Sequence, residues 1–195
     1  MSDLFEQQSP LVQIKLGEPR GNAPRIEEKP FLGYLNLRCK ASNTKFLAAL
    51  LKVLGCEPPT DPNTVIDAGK IRIYWLGPDE WLLVTPAGQQ EKLQADLNKA
   101  LKGVFCSVVD NSSGLTMLEI SGANAAALLA TDCPLDLHPR AFKPGQCAQT
   151  LLAKAGMTIA PMRKGDGFEV IIRRSFADYL LQWLQHAAFP FEESN

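Results

Sequence analysis

Two thiols and an imidazole lie close together in the stretch DCPLDLHPRAFKPGQCAQTLLAK, as Cys133, His138 and Cys147. Residues of these types can hold a metal or form a nucleophile. A zinc site needs three or four nitrogen, sulfur or oxygen ligands converging on one point. The spacings here, five and nine residues, match no common zinc pattern. A cysteine nucleophile needs a histidine within hydrogen-bond reach and a third group to orient it. Cys133 is followed at once by Pro134, His138 is five residues on, and no third group is evident. The simpler reading makes Cys133 a small packing residue after a helix, as Cys56 is after an earlier one. No catalytic and no metal-binding residue is expected.

The segment PLDLHPRAF around that histidine alternates Leu135, Leu137 and Phe142 with Asp136, His138 and Arg140, and Pro134 and Pro139 stiffen it. A rigid, apolar loop costs little entropy to fix and offers anchors and charges to another surface. Leu135, Leu137, His138, Arg140 and Phe142 are therefore expected to form a docking or domain-bridging loop. The alternative is that the loop folds back on its own core. Elsewhere, Asp110 ends the strand VFCSVVD and is followed by Asn111, Ser112, Ser113 and Gly114, a run of turn-forming residues, so it reads as a turn aspartate. Trp75, Trp81 and Trp183 read as core or interface aromatics. Neither the GxGxxG turn of a dinucleotide site nor a P-loop occurs, and no strand carries the aromatic signature of an RNA-recognition module. Flavin, NAD and nucleic acid are not expected on this chain.

Composition agrees. The 195 residues are 46% hydrophobic, and 20 Lys and Arg against 21 Asp and Glu leave a formal charge of -1, with no electrostatic footprint for nucleic acid or an anionic membrane. MSDLFEQQSP has neither the basic nor the apolar region of a signal peptide, and FLAALLKVLG is too short to span a membrane. A cytoplasmic protein is expected, with its five cysteines reduced rather than in a disulfide framework.

The elements that must position these residues follow from periodicity. Residues 1–30, with Pro10, Pro19, Pro24 and Pro30, read as an irregular arm. YLNLRCK places Leu35, Leu37 and Cys39 on one face of a strand. A helix capped by Ser42 or Asn43 buries Phe46, Leu47, Leu50, Leu51 and Leu54 and stops at Gly55. KIRIYWL and EWLLVTP form a hairpin across GPD; a helix with Leu93, Leu97 and Leu101 and the strand VFCSVVD follow. This order is that of a split βαβ unit. The second half begins likewise with LTMLEI and an Ala/Leu helix, continues through the strands CAQTLLA, MTIAPMR and FEVIIRR, and ends in a helix from Ser175. That helix is expected to bury Phe176, Tyr179, Leu180, Trp183, Leu184 and Ala187. GPDEWLLVTP matches KGDGFEVIIRR, and LGCEPP matches TDCPLD, so a diverged duplication is read. The expected fold is α+β, with two ferredoxin-like units, residues 31–110 and 111–190, packed as one body, and antiparallel sheets each carrying helices on one face.

Four blocks in this order, EEKPFLGYLNLRC, YWLGPDEWLLV, the long run from GLTMLEISG to LLAKAG, and FEVIIRRSFADYLLQWLQHAA, resemble the gamma-subunit family of heterotetrameric sarcosine oxidases over about Pro30 to Ala188. VVDNSSGLTMLEISGANAAALL is similar, more loosely, to the folate-binding domain of the aminomethyltransferase superfamily. The resemblance implies a non-catalytic, structural subunit. Its complex would oxidise sarcosine to glycine, with oxygen reduced to hydrogen peroxide and the one-carbon unit passed to tetrahydrofolate or released as formaldehyde. FAD, FMN, NAD, tetrahydrofolate and zinc would lie in the other subunits, alpha, beta and delta, which would be its partners. The alternative it leaves open is a stand-alone folate or one-carbon binding module, for which Asp110 is the one carboxylate available.

Overall fold

The computed structural model describes residues 7–14 and 18–192; the other residues of the expected N-terminal arm, 1–6 and 15–17, lie outside it. Among the described residues ten strands form two five-stranded sheets, antiparallel throughout. The first holds β2 (Gly33–Cys39), β3 (Val65–Ala68), β4 (Ile71–Gly77), β5 (Glu80–Thr85) and β6 (Cys106–Asp110), in the order β3-β4-β5-β2-β6. The second holds β1 (Arg25–Lys29), β7 (Leu115–Ser121), β8 (Ala148–Leu152), β9 (Ala155–Pro161) and β10 (Gly167–Arg173), in the order β1-β7-β10-β9-β8. The helices are α1 (Thr44–Leu54), α2 (Gln90–Ala100), α3 (Ala125–Leu129) and α4 (Ala177–Glu192).

Alternation along each strand decides the layers. In β2, Leu35, Leu37 and Cys39 join Phe46, Leu50, Leu93 and Leu97 in one core, which places α1 and α2 on one face of the first sheet. In β10, Phe168, Val170 and Ile172 meet Leu128, Leu180 and Leu184, which places α3 and α4 on one face of the second. The remaining faces carry Tyr34, Tyr74, Leu82 and Val84 from the first sheet and Met117, Ala160 and Ile171 from the second, and these form a third core between the sheets. The order is helices, sheet, sheet, helices. Local signals agree with it: the Asn43 side chain accepts from the backbone N–H of Lys45 at 3.0 Å and of Phe46 at 3.2 Å, a cap worth ~1 kcal/mol, and Gly55 ends α1 at φ 77°.

The structure corrects four expectations. The arm is not irregular to residue 30: Arg25–Lys29 is a strand paired with β7, and Leu11 is buried in the core under α3 and α4. A 3₁₀ turn at Arg174–Phe176 precedes α4, so the helix presents Ala177, Leu180, Leu181, Leu184 and Ala188 inward and leaves Phe176 and Tyr179 exposed. Leu51 of α1 is likewise exposed. Cys39 and Cys106 are joined in a disulfide, where all five cysteines were expected to be reduced.

Candidate functional site

The residues singled out around His138 do not form a cluster. Cys133 lies in the core on the helix face of the second sheet, whereas Cys147 lies between the sheets, where its Sγ contacts the Thr64 carbonyl at 3.2 Å. His138 is exposed, and its Nδ1 accepts from the backbone N–H of Arg140 at 3.2 Å. Among the described residues no three His, Cys, Asp or Glu side chains converge as metal ligands.

The loop itself splits into two populations. Leu137 and Phe142 are 3% and 7% exposed and belong to the core, with Phe142 stacked on Phe168 at 6.4 Å between ring centroids. Their expected role as outward anchors is therefore corrected: alternation of apolar and polar residues in a loop records which side chains turn in as readily as which face a partner. Leu135 packs at the margin of the same core, and His138 and Arg140 remain exposed. The backbone is fixed by its own hydrogen bonds, from His138 N–H to Asp136 Oδ1 at 3.0 Å and from Ala141 and Phe142 N–H to the His138 carbonyl at 2.8 and 3.0 Å. Further on, the same connection bridges the two sheets. Val65 N–H donates to the Gly145 carbonyl at 3.0 Å and Cys147 N–H to the Asn63 carbonyl at 2.8 Å, covering the edge of β3.

Asp110 is exposed at the end of β6. Its Oδ1 accepts from the Ser112 backbone N–H at 2.8 Å and from the Ser112 hydroxyl, while Ser112 Oγ accepts from Tyr34 N–H at 2.9 Å. The carboxylate thus closes the turn that carries the chain from the first sheet to the second. It borders a hollow of about 300 Å³ shared with Phe31, Gln90, Ser113 and Arg174. The turn engages its Oδ1.

A second group of charged residues escaped sequence reading. Between the sheets, Glu169 of β10 pairs with the Arg72 guanidinium and accepts from the Tyr74 hydroxyl, both on β4. Arg72 Nε lies 3.3 Å from Asp67 of β3, which in turn holds Arg163 at 2.8 Å. The Arg72 and Glu169 side chains are 9% and 11% exposed. Arg72 also lies over the Tyr74 ring, 5.5 Å from its centroid. Burial first, and then the neighbouring Glu169 carboxylate, push the Tyr74 phenol well above its ordinary range, so it remains a donor. A buried ion pair costs desolvation of both partners and is weak evidence for net stability; here it fixes how one sheet sits on the other. In KIRIYWL the lone arginine among alternating apolar residues was the available signal.

The geometry so far is that of two stacked sheets with tightly bound turns. A model of the sarcosine oxidase, gamma subunit family matches residues 38–189. The sarcosine oxidase subunit gamma of Corynebacterium sp. (strain P-1) is 33% identical over 171 residues, covering 86% of this chain and 81% of that relative. A chain in the structure of heterotetrameric sarcosine oxidase from Corynebacterium sp. U-96, in complex with pyrrole 2-carboxylate, superposes with a TM-score of 0.87 at 28% identity, covering 97% of this chain and 98% of the other. The glycine cleavage system aminomethyltransferase T of Bartonella henselae shares the fold at a TM-score of 0.58 and 18% identity, over 85% of this chain and 46% of its own. On the family match and the identity over most of both chains, this chain belongs to the sarcosine oxidase, gamma subunit family.

Proposed function

We propose that this chain is the structural gamma subunit of a heterotetrameric sarcosine oxidase, assembled with alpha, beta and delta subunits in the cytoplasm and contributing no catalytic group. The complex oxidatively demethylates sarcosine to glycine, reduces oxygen to hydrogen peroxide, and releases formaldehyde or passes the one-carbon unit to tetrahydrofolate. FAD, FMN, NAD, tetrahydrofolate and zinc belong to the other subunits. One observation carries this reading: the correspondence runs over nearly the whole of both chains when this one is superposed on a chain of a heterotetrameric sarcosine oxidase. Asp110 engages one carboxylate oxygen, Oδ1, in its own turn, and no metal-ligand cluster occurs among the described residues.

The exposed part of the 135–142 loop, His138 and Arg140, is assigned to docking, with Leu135 at its margin. Co-expression of the tagged chain with the large subunits should recover an assembled complex that forms peroxide from sarcosine, while the chain alone forms none. Arg140→Glu should weaken assembly without lowering the thermal midpoint of the isolated chain, by ~2 kcal/mol if Arg140 is an interface anchor. Recovery of no oxidase subunit, or peroxide formed by the isolated chain, would reject the reading.

A further inference from the structure

Cys39 and Cys106 face one another across β2 and β6, with Cα atoms 4.6 Å apart and their sulfurs joined. That Cα separation is typical of the non-hydrogen-bonded positions of an antiparallel pair, where facing side chains come closest. The sheet register therefore holds the two sulfurs within bonding reach, whether or not the bond is made. β6 is an edge strand, and an open groove of about 750 Å³ runs past the pair, lined also by Arg38, Lys40, Asn43, Asp79, Phe105 and Ser107. Cys106 is partly exposed, Cys39 is 5% exposed, and Phe105 beside them is wholly in solvent. Arg38, paired with Glu80, and Lys40 line this groove together with Asp79, so the charges around the sulfurs are balanced and it is access that sets the pair apart.

The other three cysteines contrast with this pair. None is bonded to another; Cys133 and Cys147 are buried, and burial raises the thiol pKa of Cys56 and pushes that of Cys147 up to about 11. We propose that Cys39 and Cys106 are a reversible dithiol–disulfide site, closed by a hydroperoxide and opened by a small thiol, each reaching the sulfurs through the groove beside Phe105.

In closure, one thiolate attacks the hydroperoxide, the O–O bond breaks, the sulfur becomes a sulfenic acid, and the other oxygen leaves as water or an alcohol. The second thiol then displaces the sulfenic hydroxyl, forming the S–S bond and releasing water. Two thiols lose two electrons and one hydroperoxide gains them. In opening, an external thiolate attacks Cys106 Sγ, the more accessible sulfur, and Cys39 leaves as a thiolate that takes up a proton. A second external thiol resolves the mixed disulfide and carries the oxidation away.

The test uses the full wild-type chain, reduced with dithiothreitol and freed of it. Stoichiometric hydrogen peroxide is then added, and remaining thiols are alkylated and mapped by peptide mass spectrometry at intervals. The thiols of Cys39 and Cys106 are expected to disappear together, about tenfold faster than that of Cys147, with a Cys39–Cys106 cross-linked peptide appearing in step. Dithiothreitol added to the folded, oxidised chain should restore both. Persistence of these two thiols while Cys56 or Cys147 oxidises would overturn the proposal, as would a bridge that dithiothreitol opens only in denaturant, which would mark a purely structural bond.

Discussion

The two sheets are assembled by different routes. The first takes the four strands of its ferredoxin-like order, β4-β5-β2-β6, from the contiguous stretch 33–110, and adds β3 at its edge. The second repeats that order as β9-β10-β7-β1, with β8 added, but its fourth strand comes from the opposite end of the chain, ahead of the first unit. What the architecture requires is a strand antiparallel to the first strand of each unit, not a strand at a given place in the sequence. The consequence is interlocking. Only residues 30–32 separate β1 in one sheet from β2 in the other, and residues 145–147 of the second unit cover the β3 edge of the first. Each half thus closes an edge of the other, which protects strands that would otherwise be free to pair with other chains.

Deleting residues 1–30 is the most severe way to break this comparison. It removes β1, uncovers the edge of β7, and takes Leu11 out of the core; loss of a buried leucine alone typically costs ~2–5 kcal/mol. The truncated chain should lose cooperative unfolding or precipitate, as followed by circular dichroism and light scattering. A truncated chain that stays monomeric with its thermal midpoint unchanged would mean that the second sheet does not depend on the borrowed strand.

A smaller effect is expected where the two sheets are pinned to each other. Glu169→Ala leaves Arg72 charged between the sheets with only the half-exposed Asp67 beside it, and removing one partner of a buried pair costs ~3–5 kcal/mol. Adding Arg72→Met should recover most of that loss, because the remaining cost is packing rather than an uncompensated charge. By contrast, Arg38→Ala breaks the solvent-exposed Arg38–Glu80 pair within the first sheet and should leave the denaturant midpoint almost unchanged. Equal losses for Glu169→Ala and Arg38→Ala would contradict the special status given to the layer between the sheets.

The sequence made one half easier to read than the other, for physical reasons. Leu35, Leu37 and Cys39 alternate, Asn43 and Gly55 bracket α1, and the hairpin of β4 and β5 turns at Pro78 and Asp79, all within short stretches of chain. The likeness of GPDEWLLVTP to KGDGFEVIIRR also located β5 and β10, which hold equivalent places in the two sheets. Nothing marked RIEEK as a strand: it has one apolar residue, four of its five residues are only partly buried, and its partner is distant in sequence. The 3₁₀ turn before α4 shifted the buried face by a residue, which periodicity alone could not register. In the candidate site, Asp110 was legible as a turn residue because its partner is Ser112, two positions on. The inward turn of Leu137 and Phe142 was not, since it depends on Phe168. The Cys39–Cys106 pair was within reach of sequence reasoning, because the first and fourth strands of a split βαβ unit are neighbours, but register was needed to set the two residues opposite each other.

The mildest prediction concerns pH and separates the layer between the sheets from the outer cores. Burial pushes the Cys147 thiol from its ordinary 9.0 up to about 11. Folding therefore holds the proton at pH values where the unfolded chain releases it. The unfolded state binds fewer protons across that window, so stability is at its full value below pH 9 and declines as pH rises toward 11. Cys147→Ala should reduce most of this slope, leaving the smaller share of Cys56, whose thiol burial also raises, when the urea midpoint is measured at half-unit steps. The raised phenols of Tyr34 and Tyr74 leave a further decline that begins only above the ordinary tyrosine value of 10.0. Val170→Ala, at a buried side chain with no proton to lose in the core under α3 and α4, is the control: it should lower the midpoint by a similar amount at every pH. If Cys147→Ala instead lowered the midpoint uniformly and kept the full slope between pH 9 and 10, below the range of the tyrosines, the thiol would not be the group that senses alkali, and the layer between the sheets would respond to pH no differently from the core under α3 and α4.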